Sequence, residues 1–213
     1  LTTGKKKPGP GPAKRLTALE LRKAKRSADS IVHQFLVRLQ NITVLDPACG
    51  SGSFLINAYQ FLLDWHLGWY LKHDPGKLAK GKNPVIVQAK GGGWKLTIAE
   101  RKRILLDNIY GVDIDSQAVE VTKLSLLLKV LECETDQSLQ TVFDFQHERA
   151  LPDLDYNIKC GNSLIGPDFY QEAQFDLLDE ETEHRTNVFD WKVSFPGVFS
   201  GKDPGFDVVI GNP

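Results

Sequence analysis

With 213 residues, 41% of them hydrophobic and 25% charged, and with 26 Lys and Arg against 27 Asp and Glu, the chain has the make-up of an ordinary globular protein able to bury a sizeable core. It holds no apolar run approaching the roughly 18 residues that span a bilayer, and LTTGKKKPGPGPAKR carries positive charge with no apolar stretch behind it, so no membrane partner is expected and the chain reads as soluble and cytoplasmic in a prokaryote. The cysteines, Cys49, Cys133 and Cys160, are far apart and lack CxxC spacing, which argues against a disulfide framework and a structural zinc site.

Residues 1–40 read as a basic arm followed by a helical segment. The first 26 residues hold nine Lys or Arg against one acid, Glu20, and fit either a solvated Pro/Gly/Lys linker or an arm that meets nucleic-acid phosphates. Leu16, Leu19, Ile31, Val32, Phe35, Leu36 and Leu39 then recur at roughly helical spacing. The body of the protein is expected over 41–213. A short strand is expected over 42–45, closing on Asp46-Pro47, then a turn with Gly50 and Gly52 and a helix over 53–71. Residues 73–107 form an insertion, whose first part, to about residue 95, reads as loop. Thr97 and Glu100 fit a capping box for a helix reaching about Asp107. A second strand over 108–112 ends at Asp113, and an apolar helix follows over 116–131. Strands over 156–160 and 206–210 flank an acidic, irregular stretch. Alternation of strands and helices predicts an α/β fold with a parallel sheet.

The segment VLDPACGSGSF places a small-residue turn between a strand and a helix. Such a turn lets backbone approach a ligand, and the helix start presents free N–H groups. The spacing is neither GxGxxG nor a Walker A loop, which disfavours phosphate binding by those routes. Asp113, at the tip of the next strand, stands where a doubly wound fold binds ribose hydroxyls, because two carboxylate oxygens can accept from vicinal O–H groups. Together these features describe a nucleoside pocket without a phosphate chain. Cys49 reads as a small residue lining the turn, with nothing near it to mark a nucleophile.

DPACGSGSFL followed by IYGVDID closely resembles the cofactor motifs of S-adenosylmethionine-dependent N6-adenine DNA methyltransferases of restriction-modification systems, and the resemblance runs from about residue 40 onward. It implies a doubly wound, Rossmann-like methyltransferase fold with a mainly parallel sheet, here its first four strands, and S-adenosylmethionine as cofactor. Residue by residue, it implies that Asp46, Ala48, Gly50 and Gly52 hold the methionine part, that Asp113 takes the ribose hydroxyls and that Ile114 flanks the adenine. Gly161-Asn162-Ser163-Leu164 is the next matching motif. Relatives often carry Asp where Asn162 stands, accepting from the cofactor's adenine amino group, a bond that an amide oxygen can also accept. The aromatic residue often found beside it is replaced by Ser163, which cannot stack.

In that family a fourth strand leads into Asn-Pro-Pro and an aromatic residue, and Asn212 and Pro213 match its first two positions. The resemblance makes these two the catalytic residues. The adenine amino nitrogen is a poor nucleophile because its lone pair is delocalised into the ring. An Asn oxygen and the next carbonyl, both accepting from that amino group, favour a pyramidal nitrogen able to attack a sulfonium methyl, with no metal or covalent enzyme intermediate required. The implied partner is double-stranded DNA with its target adenine flipped out. The order, cofactor turn before Asn-Pro, is the gamma-type order. The 50 positions between Asn162 and Asn212 leave no room for a target-recognition domain, which is expected elsewhere in the protein or on another subunit. Methylation of a protein glutamine amide or of an exocyclic amine in RNA stays open, as does a non-catalytic cofactor- or DNA-binding module. The chain has no Met, and Val208-Val209-Ile210 reads as a strand buried on both faces that ends in Gly211-Asn212-Pro213. These features predict a segment of a longer protein whose isolated form is inactive and poorly soluble or self-associating through an apolar sheet edge.

Overall fold

The computed structural model describes residues 23, 40–89, 91–132, 152–169 and 186–212. The basic arm, nearly all of the helical segment before residue 40, Cys133, most of the acidic stretch and Pro213 lie outside the described residues. The chain divides into two units, Leu1–Leu39 and Gln40–Pro213. The second is described here.

Its elements follow in order: β1 (Val44–Asp46), α1 (Ser53–Lys72), α2 (Pro75–Leu78), β2 (Ile86–Gln88), β3 (Trp94–Leu96), α3 (Ile98–Asn108), β4 (Ile109–Asp113), α4 (Ser116–Leu131), β5 (Ile158–Cys160), α5 (Trp191–Ser194), α6 (Pro196–Phe199) and β6 (Val208–Val209). Four strands form one parallel sheet in the order β5-β4-β1-β6. In sequence order of its own strands this is 3-2-1-4, a doubly wound, Rossmann-like arrangement. The chain winds outward from β1 through β4 to β5, then returns to the other side of β1. The topological switch point therefore lies between β1 and β6, and the carboxyl ends of all four strands share one edge of the sheet.

Side-chain alternation along the strands supplies two cores. Val44, Ile109 and Ile158 pack with Leu55 and Tyr59 of α1, Ile104 and Leu105 of α3, and Val119 and Leu126 of α4. Leu45 and Val112 point the other way, into an aromatic layer with Phe189, Phe195, Trp191 and Phe206. Buried amides tie the strand entries together. Asn108 Nδ2 donates to the carbonyls of Gln40 (3.0 Å) and Ile42 (2.7 Å). Asn157 Nδ2 donates to those of Leu106 (2.8 Å) and Ile109 (2.9 Å).

Helix bounds follow their caps. Asp115 accepts from Gln117 N–H and starts α4 at Ser116 as the sequence predicts. Thr97 Oγ1 accepts from Glu100 N–H at 3.2 Å, but the reciprocal half of the capping box is missing. Thr97 N–H goes to Val85 O instead, and buried Glu100 pairs with Tyr70 Oη (2.6 Å) and Arg103 (2.7 Å).

Two expectations are corrected. Residues 73–95 are not a plain loop: they contain α2 and the antiparallel β2–β3 hairpin, because Ile86 and Leu96 bury against α1 and α3 while the glycines between the strands make the turn. The final strand is not buried on both faces. Among the described residues β6 is an edge strand only two residues long that β1 alone flanks, and Val209, 64% exposed, lies outside both cores.

Candidate functional site

β1 ends in a turn that two left-handed glycines close, Gly50 at φ 52° and Gly52 at φ 81°. Side chains pay a steric penalty in this region, and at Gly52 space forbids one as well, since a Cβ there would lie 2.9 Å from Thr122 Cγ2. Thr122 is the fastener between the turn and α4: its Oγ1 donates to Gly50 O at 2.7 Å. Cys49 N–H donates to Val112 O (2.9 Å) and Gly52 N–H to Cys49 O (2.8 Å), so the turn is bonded to β4 and to itself. Helix α1 starts directly after, and Gly52 has no side chain to cap its first turn, which leaves those N–H groups for a ligand. Buried Cys49 fits its reading as a small lining residue. Its thiol is pushed up to about 12 by burial, with the Asp113 and Asp46 carboxylates adding to the effect, so it is no nucleophile at neutral pH.

Two carboxylates frame the turn. Asp113 Oδ2 accepts from Gly50 N–H at 2.7 Å, and its Oδ1 from Asp115 N–H at 2.9 Å. Each oxygen keeps acceptor capacity for one further donor, which is what a pair of vicinal hydroxyls would offer. Ile114 follows with 52% of its surface exposed, an apolar face beside those acceptors. Asp46 differs. It is only 1% exposed, its Oδ1 accepts from Ala48 N–H at 3.1 Å, and its Oδ2 is buried without a partner among the described residues. Burial, partly offset by the Ala48 N–H and reinforced by Asp113, raises its pKa above the usual carboxylate range. A buried acceptor with no donor is costly, and a cation placed against it would relieve both the missing bond and the raised pKa. The ammonium of an amino-acid ligand is such a cation, and the Asp113 oxygens and the exposed Ile114 beside it could receive a pair of vicinal hydroxyls and a flat apolar ring.

On the opposite side of β1, Ile210 N–H donates to Leu45 O at 2.8 Å and carries the chain past β6 to Gly211. A Cβ on Gly211 would lie 3.5 Å from Asp46 Oδ1, so the end of this strand runs beside the orphaned carboxylate. Asn212 comes next, exposed and without a hydrogen-bond partner among the described residues. Asn162, beyond β5, is half-exposed, and its Oδ1 accepts from Leu164 N–H at 3.2 Å. The predicted residues Asp46, Ala48, Gly50, Gly52, Asp113, Ile114, Asn162 and Asn212 thus all lie at or just beyond the carboxyl ends of the four strands. Pro213 lies outside the described residues.

A cavity of about 550 Å³ opens nearby between α4 and β5, lined by Ser116, Gln117, Lys123, Asp155 and Cys160 among others. It includes none of the turn residues. Of its two lysines, Lys123 is committed to Asp155 (2.6 Å) and Glu120 (2.9 Å), and Lys159 Nζ lies 5.6 Å from the centre of the Tyr156 ring. The sequence reading missed Thr122 and Gly211. A lone hydroxyl on the packed side of the apolar helix 116–131 was a visible signal for the first; the second had none.

Residues 107–213 match the Eco57I restriction-modification methylase family. The chain is 33% identical over 177 residues to the type II restriction enzyme and methyltransferase RM.Eco57I of Escherichia coli, covering 83% of this chain and 15% of that protein. It is 37% identical over 137 residues to a Methanocaldococcus jannaschii protein assigned as a type II restriction enzyme and methyltransferase, covering 64% of this chain and 10% of that one. It is 27% identical over 177 residues to the adenine-specific methyltransferase PglX of Streptomyces coelicolor, covering 82% and 12%. The chain therefore spans a small fraction of the length of these relatives.

Proposed function

The chain belongs to the Eco57I restriction-modification methylase family, and from that premise we propose that it carries the cofactor site and the first catalytic residues of an enzyme that methylates the N6 amino group of adenine in DNA. The names of the Escherichia coli and Streptomyces coelicolor relatives support DNA and adenine as the target. The observation that carries the reading is the convergence on one sheet edge of a buried, unpartnered Asp46 oxygen, a glycine turn bonded to Asp113, and Asn212 on the other side of β1.

In this reading Asp46 and the Gly50–Gly52 turn hold the methionine part of S-adenosylmethionine, Asp113 the ribose, and Ile114 with Asn162 the adenine. The cofactor supplies an electrophilic methyl group. The residues of this chain supply position. Asn212 accepts from the amino group of the target adenine, and the carbonyl of Pro213 is the second acceptor. Two such acceptors localise the nitrogen lone pair, and catalysis rests on alignment. The adenine must leave the duplex to arrive there, so a target-recognition domain or subunit beyond these residues is part of the proposal.

The test is methylation of duplex DNA by the protein as its gene encodes it, with the product nucleoside identified by mass spectrometry. Asn212→Ala should lower the rate roughly 100- to 1,000-fold, the range for losing one preorganised polar contact to a reacting group. N6-methyladenine should be the product. Retained activity in the variant, or methyl transfer to a protein glutamine or to RNA alone, would remove this assignment.

A further inference from the structure

The turn at Gly161–Leu164 is gripped by a segment that carries no recognised motif. Past Cys160 the chain forms a parallel bridge between Asn162 and Val188. Asn162 N–H donates to Asn187 O at 2.7 Å, and Phe189 N–H donates to Ile165 O at 2.9 Å. Asn187 sits at φ 44°, a left-handed conformation uncommon outside glycine. Phe189, 4% exposed, fills the space beside Gly161 so closely that a Cβ there would lie 2.4 Å from Phe189 Cδ2. Trp191 Nε1–H donates to Ser163 O at 3.3 Å. The turn is therefore held at Gly161, Asn162, Ser163 and Ile165 by residues of one short stretch.

This grip fixes what Asn162 can offer. Leu164 N–H donates to Asn162 Oδ1, which identifies that atom as the acceptor and sets the amide's orientation. The Nδ2 group has no partner among the described residues. An adenine edge presents an amino donor beside a ring-nitrogen acceptor. An amide held this way offers the complement, a remaining oxygen lone pair and a free N–H, which a carboxylate at this position would lack.

We propose that Trp191, Asn187 and Phe189 are positioning residues that hold Asn162 to read the adenine edge of the cofactor, and so set the nucleobase specificity of the site. The inference rests on the S-adenosylmethionine reading above. Trp191 also packs in the aromatic layer, with ring centroids 4.9 Å from Phe189 and 6.0 Å from Phe195. A purely structural role would weaken binding of every nucleoside alike.

The experiment is calorimetric titration of the protein as its gene encodes it with S-adenosylhomocysteine and with its hypoxanthine counterpart, in which an oxo group and a protonated ring nitrogen reverse donor and acceptor. The wild type should prefer the adenine form roughly 10-fold or more, the size of a mismatched hydrogen-bonding edge. Trp191→Phe keeps an aromatic ring in the layer and removes the N–H. It should weaken the adenine form several-fold, leave the hypoxanthine form nearly unchanged and keep kcat at saturating cofactor within twofold. In an Asn162→Ala background it should add nothing further, since both changes act on one contact. Asn187→Ala, outside the aromatic layer, keeps the carbonyl that accepts from Asn162 N–H but disfavours the left-handed backbone that aims it, so it should narrow the preference in the same way and guards against a folding defect at Trp191. An unchanged preference in both folded variants, or equal weakening of the two nucleosides, overturns the inference. A wild type that binds neither nucleoside overturns the methyltransferase reading itself.

Discussion

The two flanks of β1 are built differently. Toward β4 the sheet is locked: three register pairs join the strands, Val112 is fully buried, and the turn after β1 is bonded to Val112, Asp113 and Thr122. Toward β6 there are two register pairs, Val209 is 64% exposed and Asn212 is exposed. That flank is held mainly at its entry, where Asp207 Oδ2 accepts from Thr43 N–H (2.8 Å) and Thr43 Oγ1–H (2.9 Å). The contrast matches the division of labour proposed above. A cofactor that binds the same way each cycle suits a rigid, preorganised flank, whereas a base arriving from DNA needs an open one.

Breaking the locked flank should have the largest effect. Gly52→Ala forces a side chain into a left-handed conformation and into Thr122, and should cost about 3–5 kcal/mol of stability as well as cofactor binding. Chemical denaturation of the variant measures this, and a loss under about 1 kcal/mol would show that the turn is not locked by Thr122.

Acid should attack the same half of the molecule. His66 on α1 is fully buried with neither ring nitrogen bonded among the described residues, and burial, with Arg103 nearby, lowers its pKa to about 4. The unfolded chain, with a histidine near its ordinary value, binds the proton more readily. Stability from neutral His66 is therefore complete above about pH 6.5 and is lost as pH falls toward 4, amounting to about 3 kcal/mol. The difference in melting temperature between wild type and His66→Phe should shift in the variant's favour as pH falls across this range, the variant having the flatter profile. Parallel profiles would contradict the assignment.

The smallest effects compare the flanks directly. Val112→Ala should cost about 2 kcal/mol and Val209→Ala under about 0.5 kcal/mol, the same chemical change on buried and exposed strands. Equal costs would mean that β6 is covered in the whole protein, and would sharpen the search for what covers it.

Much of the locked flank was legible in the sequence because its signals are local. Asp115 ahead of an apolar run fixed the start of α4, and DPACGSG between strand and helix residues marked the turn. The hairpin over 86–96 was missed because strands of three residues carry too few alternations to show a period. β6 was misjudged because apolar continuity cannot distinguish a central strand from an edge that nothing yet covers. The grip of Asn187 and Trp191 on the turn at Asn162 was invisible, since it joins stretches 25 or more positions apart, through the Asn187 carbonyl on Asn162 N–H and the Trp191 indole N–H on the Ser163 carbonyl, acceptors that no residue type announces.

The central claim is that the β1–β4 edge holds S-adenosylmethionine while Asn212 serves only the target base. Titration calorimetry with S-adenosylmethionine on wild type, Asp113→Ala and Asn212→Ala tests it most directly. The account predicts binding by the wild type, affinity lowered roughly 10-fold or more in Asp113→Ala through loss of charge-assisted hydrogen bonds, and affinity within twofold of wild type in Asn212→Ala. Unchanged binding in folded Asp113→Ala would contradict it.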